Sequence, residues 1–94
     1  MAAYVIANYT VTNPEAYAPY PAAATETLQA HGVEIIAVDM NSEVLEGDAK
    51  GVTVILKFDS RDAVKQWYNS PEYQAVIGLR TDNSEGTMVV ADSL

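Results

Sequence analysis

The chain has no cysteine, and this excludes disulfide staples, a thiolate nucleophile and any Cys-ligated zinc or iron–sulfur centre. It has a single histidine, His31, which rules out a multi-histidine metal site within one chain. Lysine and arginine together number five against thirteen acids, giving a formal net charge of −8. Such a surface repels phosphate backbones and anionic lipid, so neither nucleic acid nor a membrane is an expected partner. No apolar run approaches the roughly 20 residues of a spanning helix, and "MAAYVIANYTV" at the start has no basic leader region. The expectation is a cytoplasmic protein without a metal or cofactor.

What is present is apolar and patterned. The 94 residues suit one domain, residues 1–94, of a size that buries only about 60% of its unfolded surface and gains from a partner. Ala3 to Val11 reads as a strand rich in Tyr, Val and Ile. Next, "TNPEAY" opens a helical turn with Thr12 or Asn13 as cap and Pro14 at its first position. Pro19 and Pro21 limit that turn to Pro14–Ala18, because a Pro ring inside a helix removes a hydrogen bond and clashes with the turn before it. A longer helix then starts near Tyr20 or Pro21 and closes at His31-Gly32, with His31 beside the negative end of the dipole.

Val33 to Met40 is predicted as a second strand, with a bulged extension through Glu43 to Glu46 before the turn "GDAKG". Gly51 to Phe58 is the third strand, and Asp59-Ser60 caps a helix whose apolar positions are Ala63, Val64, Trp67 and Tyr68. Ser70 and Pro71 restart it, with Tyr73, Val76, Ile77 and Arg80 on one stripe. A polar loop "TDNSEG" leads to a last strand, Thr87 to Asp92.

The order βαββαβ predicts an α+β, ferredoxin-like fold: a four-stranded antiparallel sheet with the helices on one face. Val5, Ala7, Tyr9 and Val11 with Val52, Val54, Leu56 and Phe58 form the face assigned to the helices. Tyr4, Ile6, Asn8 and Thr10 with Thr53, Ile55 and Lys57 form the other, which is too apolar to face water comfortably. A second copy of the sheet is the simplest cover, so a homodimer through Ile6, Asn8, Ile55 and Lys57 is expected.

The stretches "YVIANYTVTNPEAYAPY", "HG", "VLEGD" and above all "WYNSPEYQAVIGLR" resemble a small bacterial family of unknown function in the dimeric α/β-barrel superfamily. The resemblance implies a barrel-shaped homodimer with a cleft between helices and sheet in each subunit. It also brings in a superfamily that contains cofactor-independent oxygenases, lactone isomerases, polyketide cyclases and haem-degrading enzymes. Where the aromatic cyclases carry a His-Pro-x-His corner, this chain has Ser70-Pro71-Glu72-Tyr73, and its second helix has no histidine to bind haem.

Tyr9, Tyr20, Trp67, Tyr73 and Ile77 are therefore the candidate ligand-binding residues, for a small apolar or aromatic molecule held by phenol hydrogen bonds. Aromatics at helical spacing read equally as core. Tyr17 is expected to staple the Pro-rich loop, and Arg80 to pair with an acid such as Asp39 or Glu46 or to cap carbonyls, with an anion clamp as the outside alternative. Two functions follow: a small-molecule-binding homodimer, or a cofactor-independent isomerase, cyclase or monooxygenase using Tyr73 and Tyr9 as donors. No catalytic residue is singled out, since a phenol with a pKa near 10 is a poor general base.

Overall fold

The computed structural model describes residues 1–94. β1 (Ala3–Val11) is followed by α1 (Pro14–Tyr17), α2 (Tyr20–Ala30), β2 (Glu34–Asp39), β3 (Val52–Phe58), α3 (Arg61–Tyr68), α4 (Pro71–Gln74), α5 (Gly78–Thr81) and β4 (Ser84–Asp92). The strands form one antiparallel sheet in the order β2-β3-β1-β4, which is the ferredoxin-like arrangement.

Strand alternation sets the two faces. Along β1 the odd positions Ala3, Val5, Ala7 and Tyr9 are buried, and opposite them on β3 so are Val52, Leu56 and Phe58. The helices pack on this side and complete a core with Tyr17, Tyr20, Ala24, Leu28, Val64, Trp67 and Tyr73. On the other side Tyr4, Ile6 and Ile55 are half-buried, and Val89, opposite Ile6, is 53% exposed. No element of the chain covers that face.

Caps and prolines divide the helices. Asn13 accepts from the Ala16 N–H and Pro14 takes the first position of α1, while Pro19 is the N-cap of α2 and Pro21 lies in its first turn. Gly32, with φ +66°, closes α2 in the left-handed conformation. Ser60 caps α3 and Ser70 caps α4. The apolar stripe predicted beyond Pro71 survives, but the helix breaks twice, so Tyr73 and Arg80 stand on separate short helices.

Two predicted strand boundaries require correction. β2 stops at Asp39, whose side chain accepts the Asn41 N–H and turns the chain out of the sheet, and the bulge falls between Ile35 and Ala37 instead of beyond residue 42. β4 begins at Ser84, three residues before the predicted start, because β1 runs on to Val11 and offers it partners. Gly86 makes that extension possible. A Cβ there would collide with the Asn8 carbonyl oxygen and with Cα and Cβ of Tyr9, so β4 reaches the end of β1 only with glycine at this position.

Candidate functional site

Four tyrosines converge where the Pro-rich entry meets the Ser70 corner. The break between α1 and α2 turns Tyr17 and Tyr20 into the same space, with ring centroids 5.6 Å apart. Tyr9 reaches up from β1 and shares a 2.6 Å hydrogen bond with the Tyr17 hydroxyl. From the other side, α4 brings Tyr73 within 2.7 Å of the Tyr20 hydroxyl.

The Ser70 corner has a local cause. Ser70 Oγ donates to the Trp67 carbonyl and accepts the Tyr73 N–H, so one buried hydroxyl joins the end of α3 to the start of α4. This folds the Trp67 and Tyr73 rings together at a centroid distance of 4.0 Å, with both side chains fully buried. The Trp67 indole N–H then donates to Thr27 Oγ1, which itself donates to the Ala24 carbonyl and fixes α3 against α2.

Between α2 and the β2–β3 edge lies a cavity of about 120 Å³. Ala24, Leu28, Val54 and Leu56 are among its walls, Ile35, Val38 and Met40 belong to its β2 side, and Tyr9, Tyr17, Tyr20, Trp67 and Arg80 line it as well. Ile35, Val38 and Met40 are 42%, 59% and 57% exposed, so the β2 side is apolar and wet. A second recess, of about 230 Å³, lies beside Val64, Lys65, Tyr68 and Val90, is shallower, and gathers no cluster of buried polar groups.

Of the predicted site residues, Tyr9, Tyr20 and Trp67 line the cavity. Tyr73 does not line it; it is fully buried and acts through its bond to Tyr20. Ile77 is half-buried against the core and outside the lining. Sequence reasoning took Tyr17 as a loop staple and left Arg80 out of the candidate site, with an anion clamp as its outside alternative.

The expectation for Arg80 is overturned. The chain's contacts between basic side chains and carboxylates are His31–Glu72, at 4.0 Å, and Arg61–Asp92, at 2.8 Å, and neither involves Arg80. Instead Arg80 is 8% exposed, with its guanidinium carbon 5.9 Å from the Tyr20 ring centroid. Its Nε–H is a buried polar group without a hydrogen-bond partner. The available signal was a charged residue on an otherwise apolar stripe with no acid three or four positions away in sequence.

Burial raises the pKa of Tyr9 and of Tyr20, and their tyrosine partners raise it further, through the shared hydrogen bond and their charge. Both phenols therefore stay protonated at physiological pH and act as donors, not bases. For Arg80, burial opposes the charge, but Tyr73 and Tyr20 more than offset it and the pKa is raised. No cluster of three or more His, Cys, Asp or Glu residues is positioned to hold a metal.

Asn8, predicted for the dimer face, spends its amide within the chain. It donates to the carbonyls of Lys50 and Val52 and to Thr53 Oγ1, and it accepts the Lys50 N–H, pinning the loop before β3.

Comparison with known proteins places this geometry in context. No curated protein matches the sequence. A protein of unknown function from Rhodopseudomonas palustris superposes with a TM-score of 0.80 at 14% identity, covering 99% of this chain and 82% of its own. SnoaB from Streptomyces nogalater, a cofactor-independent oxygenase, gives 0.68 at 12% identity over 99% and 93% of the two chains. A dimeric protein of unknown function and ferredoxin-like fold from Bacteroides fragilis gives 0.58 at 17% identity over 98% and 95%. At such identities the likeness shows the fold. The family model for a domain of unknown function, DUF1330, matches residues 2–94, and the chain belongs to that family.

Proposed function

We propose that the chain is a cytoplasmic, single-domain subunit of a homodimer that binds one small apolar or aromatic molecule in the cleft between α2 and the β2–β3 edge. One observation carries this reading: a cavity with 14 hydrophobic residues among its 17 includes three hydrogen-bonded phenols and a buried guanidinium. Buried polar groups in an apolar enclosure are the usual means of orienting a ligand. About 120 Å³ falls below the roughly 300 Å³ at which drug-sized sites begin. An engineered apolar cavity of about 150 Å³ accepts benzene, so the ligand is one ring or its equivalent, with any larger part projecting past Ile35, Val38 and Met40.

The homodimer is supported by the bare sheet face and by area. The subunit of 10.1 kDa exposes 5887 Å², whereas a compact monomer of that mass exposes about 5,300 Å². The excess, roughly 600 Å², approaches the ~800 Å² that each partner buries in a standard interface. It is a flat slab, 31 × 31 × 16 Å, so pairing two sheets face to face is the natural closure. Ile6 and Ile55 are the apolar centre of the proposed interface, with Lys57 exposed beside them. The dimeric Bacteroides fragilis neighbour lends support to the same arrangement.

A second reading, cofactor-independent catalysis on an aromatic or polyketide-like substrate, is favoured by the shared fold of SnoaB. Tyr9 would donate a hydrogen bond directly, and Tyr73 would do so through Tyr20. With Tyr9 and Tyr20 protonated, the chain supplies hydrogen-bond donors to a substrate that gives up its proton to water before it binds as an enolate or phenolate. Native mass spectrometry of the protein purified from its own host tests the primary reading: a retained molecule on a dimer is expected. A bare polypeptide, with no thermal shift across a panel of aromatic acids, quinones and lactones, overturns it. Oxygen uptake with polyphenols would favour the second reading.

A further inference from the structure

The floor of the cleft has more hydrogen-bond donors than the chain satisfies. Each tyrosine pair contains two hydroxyl protons and forms one hydrogen bond, so one proton per pair is left without an acceptor in the chain. The Arg80 Nε–H is a third such donor, and it is buried. Arg80 is also the only charged residue in the lining, with no carboxylate in ion-pair reach. Tyr73 and Tyr20 are the polar neighbours of the guanidinium, and no anion balances its charge, whereas buried charges are normally paired.

We propose, resting on the cleft-binding reading above, that the ligand is a small aromatic or planar apolar monocarboxylate whose carboxylate takes the Arg80 guanidinium edge and the spare phenolic protons. The Nε–H and its neighbouring Nη–H form a fork that fits the two oxygens of a carboxylate. A single cation balances a single negative charge. A phosphate ester would bring a second charge into the cleft with no second cation to meet it, and a cationic ligand would face Arg80 directly. The net charge of −8 opposes the anion only at a distance, because 0.1 M salt screens exposed charges beyond about 10 Å.

Benzoate and its neutral near-isostere benzamide test the assignment by calorimetry and by ¹⁵N NMR of the arginine Nε–H signals. The chain has two arginines, Arg61 and Arg80, so the signals are readily told apart. Benzoate is expected to bind at least about tenfold tighter than benzamide, as a charge-assisted pair does over a neutral one, and to shift the Arg80 signal but not that of Arg61. Inorganic phosphate is expected not to displace it. In Arg80→Gln the preference for benzoate over benzamide should vanish; Arg80→Lys should retain part of it. Should Arg80→Gln fail to fold, the wild-type comparison and the Nε–H shift still decide. Equal binding of the two ligands with an unmoved Arg80 signal overturns the carboxylate and leaves the cleft reading standing. Displacement by phosphate overturns the monocarboxylate class. If neither ligand binds up to its solubility limit, the cleft reading falls and the carboxylate with it.

Discussion

On the helix side of the sheet, an apolar alternation encloses polar groups: four phenols, an indole N–H, Thr27, Ser70 and Arg80, nearly all hydrogen-bonded. On the open side a comparable alternation leaves Ile6, Ile55 and Val89 facing outward, and its main polar residue, Asn8, turns back into its own chain. The enclosed face needs orientation, because buried donors require partners; the open face needs only a complementary surface. The function proposed above accordingly puts binding on the first and assembly on the second.

The contrast breaks most severely at Trp67. Trp67→Ala removes the ring stacked on Tyr73 and the bond to Thr27, and about 3–5 kcal/mol of stability should go with it, measured by urea unfolding. Gly86→Ala comes next, at about 2–3 kcal/mol, since its Cβ meets backbone that cannot yield cheaply. Fraying of residues 84–86 in hydrogen exchange would accompany this loss, and an unchanged melting point would contradict the close approach.

Ile55→Asp places a charge at the centre of the open face. Dimer dissociation in sedimentation should rise by at least about tenfold, while the Trp67 fluorescence of the enclosed face is unchanged. Tyr73→Phe should cost about 1–2 kcal/mol because it leaves the Tyr20 hydroxyl buried without its partner. The smallest effect is a pH dependence. Folding raises the pKa of Tyr9 and Tyr20, so the protonated phenols contribute stability that is fully present below the ordinary tyrosine pKa near 10 and is lost as pH rises through the folded values. A melting temperature that falls above pH 10, less steeply in a Tyr9→Phe/Tyr20→Phe variant, is the expected outcome.

Element type and face were legible because they are local. Period-two alternation in Ala3–Val11 and Val52–Phe58, and caps such as Ser60 and Ser70, act within a few residues. The end of β2 was misread because Asp39 has two lawful roles, strand residue or turn former, and the Asn41 N–H decides between them. The start of β4 was misread because "SEG" looks like a loop until the length of β1 supplies partners. The site was half legible. Tyr9, Tyr20 and Trp67 were readable as aromatics on core-facing stripes, whereas Tyr17 was assigned to its neighbouring loop and Arg80 to an acid, and the way the broken helices turn put both beside other tyrosines instead.

Strand and helix periodicities are short-range properties of the residues, and they were enough to specify a ferredoxin-like α+β chain with two apolar sheet faces and helices for only one. That Arg80 lies beside tyrosines with no acid paired to it, and that a small cavity remains among the aromatics, emerged from the packing alone. Both depend on how helices broken at prolines are stacked over the sheet, and packing of that kind is a sum over residues far apart in the chain.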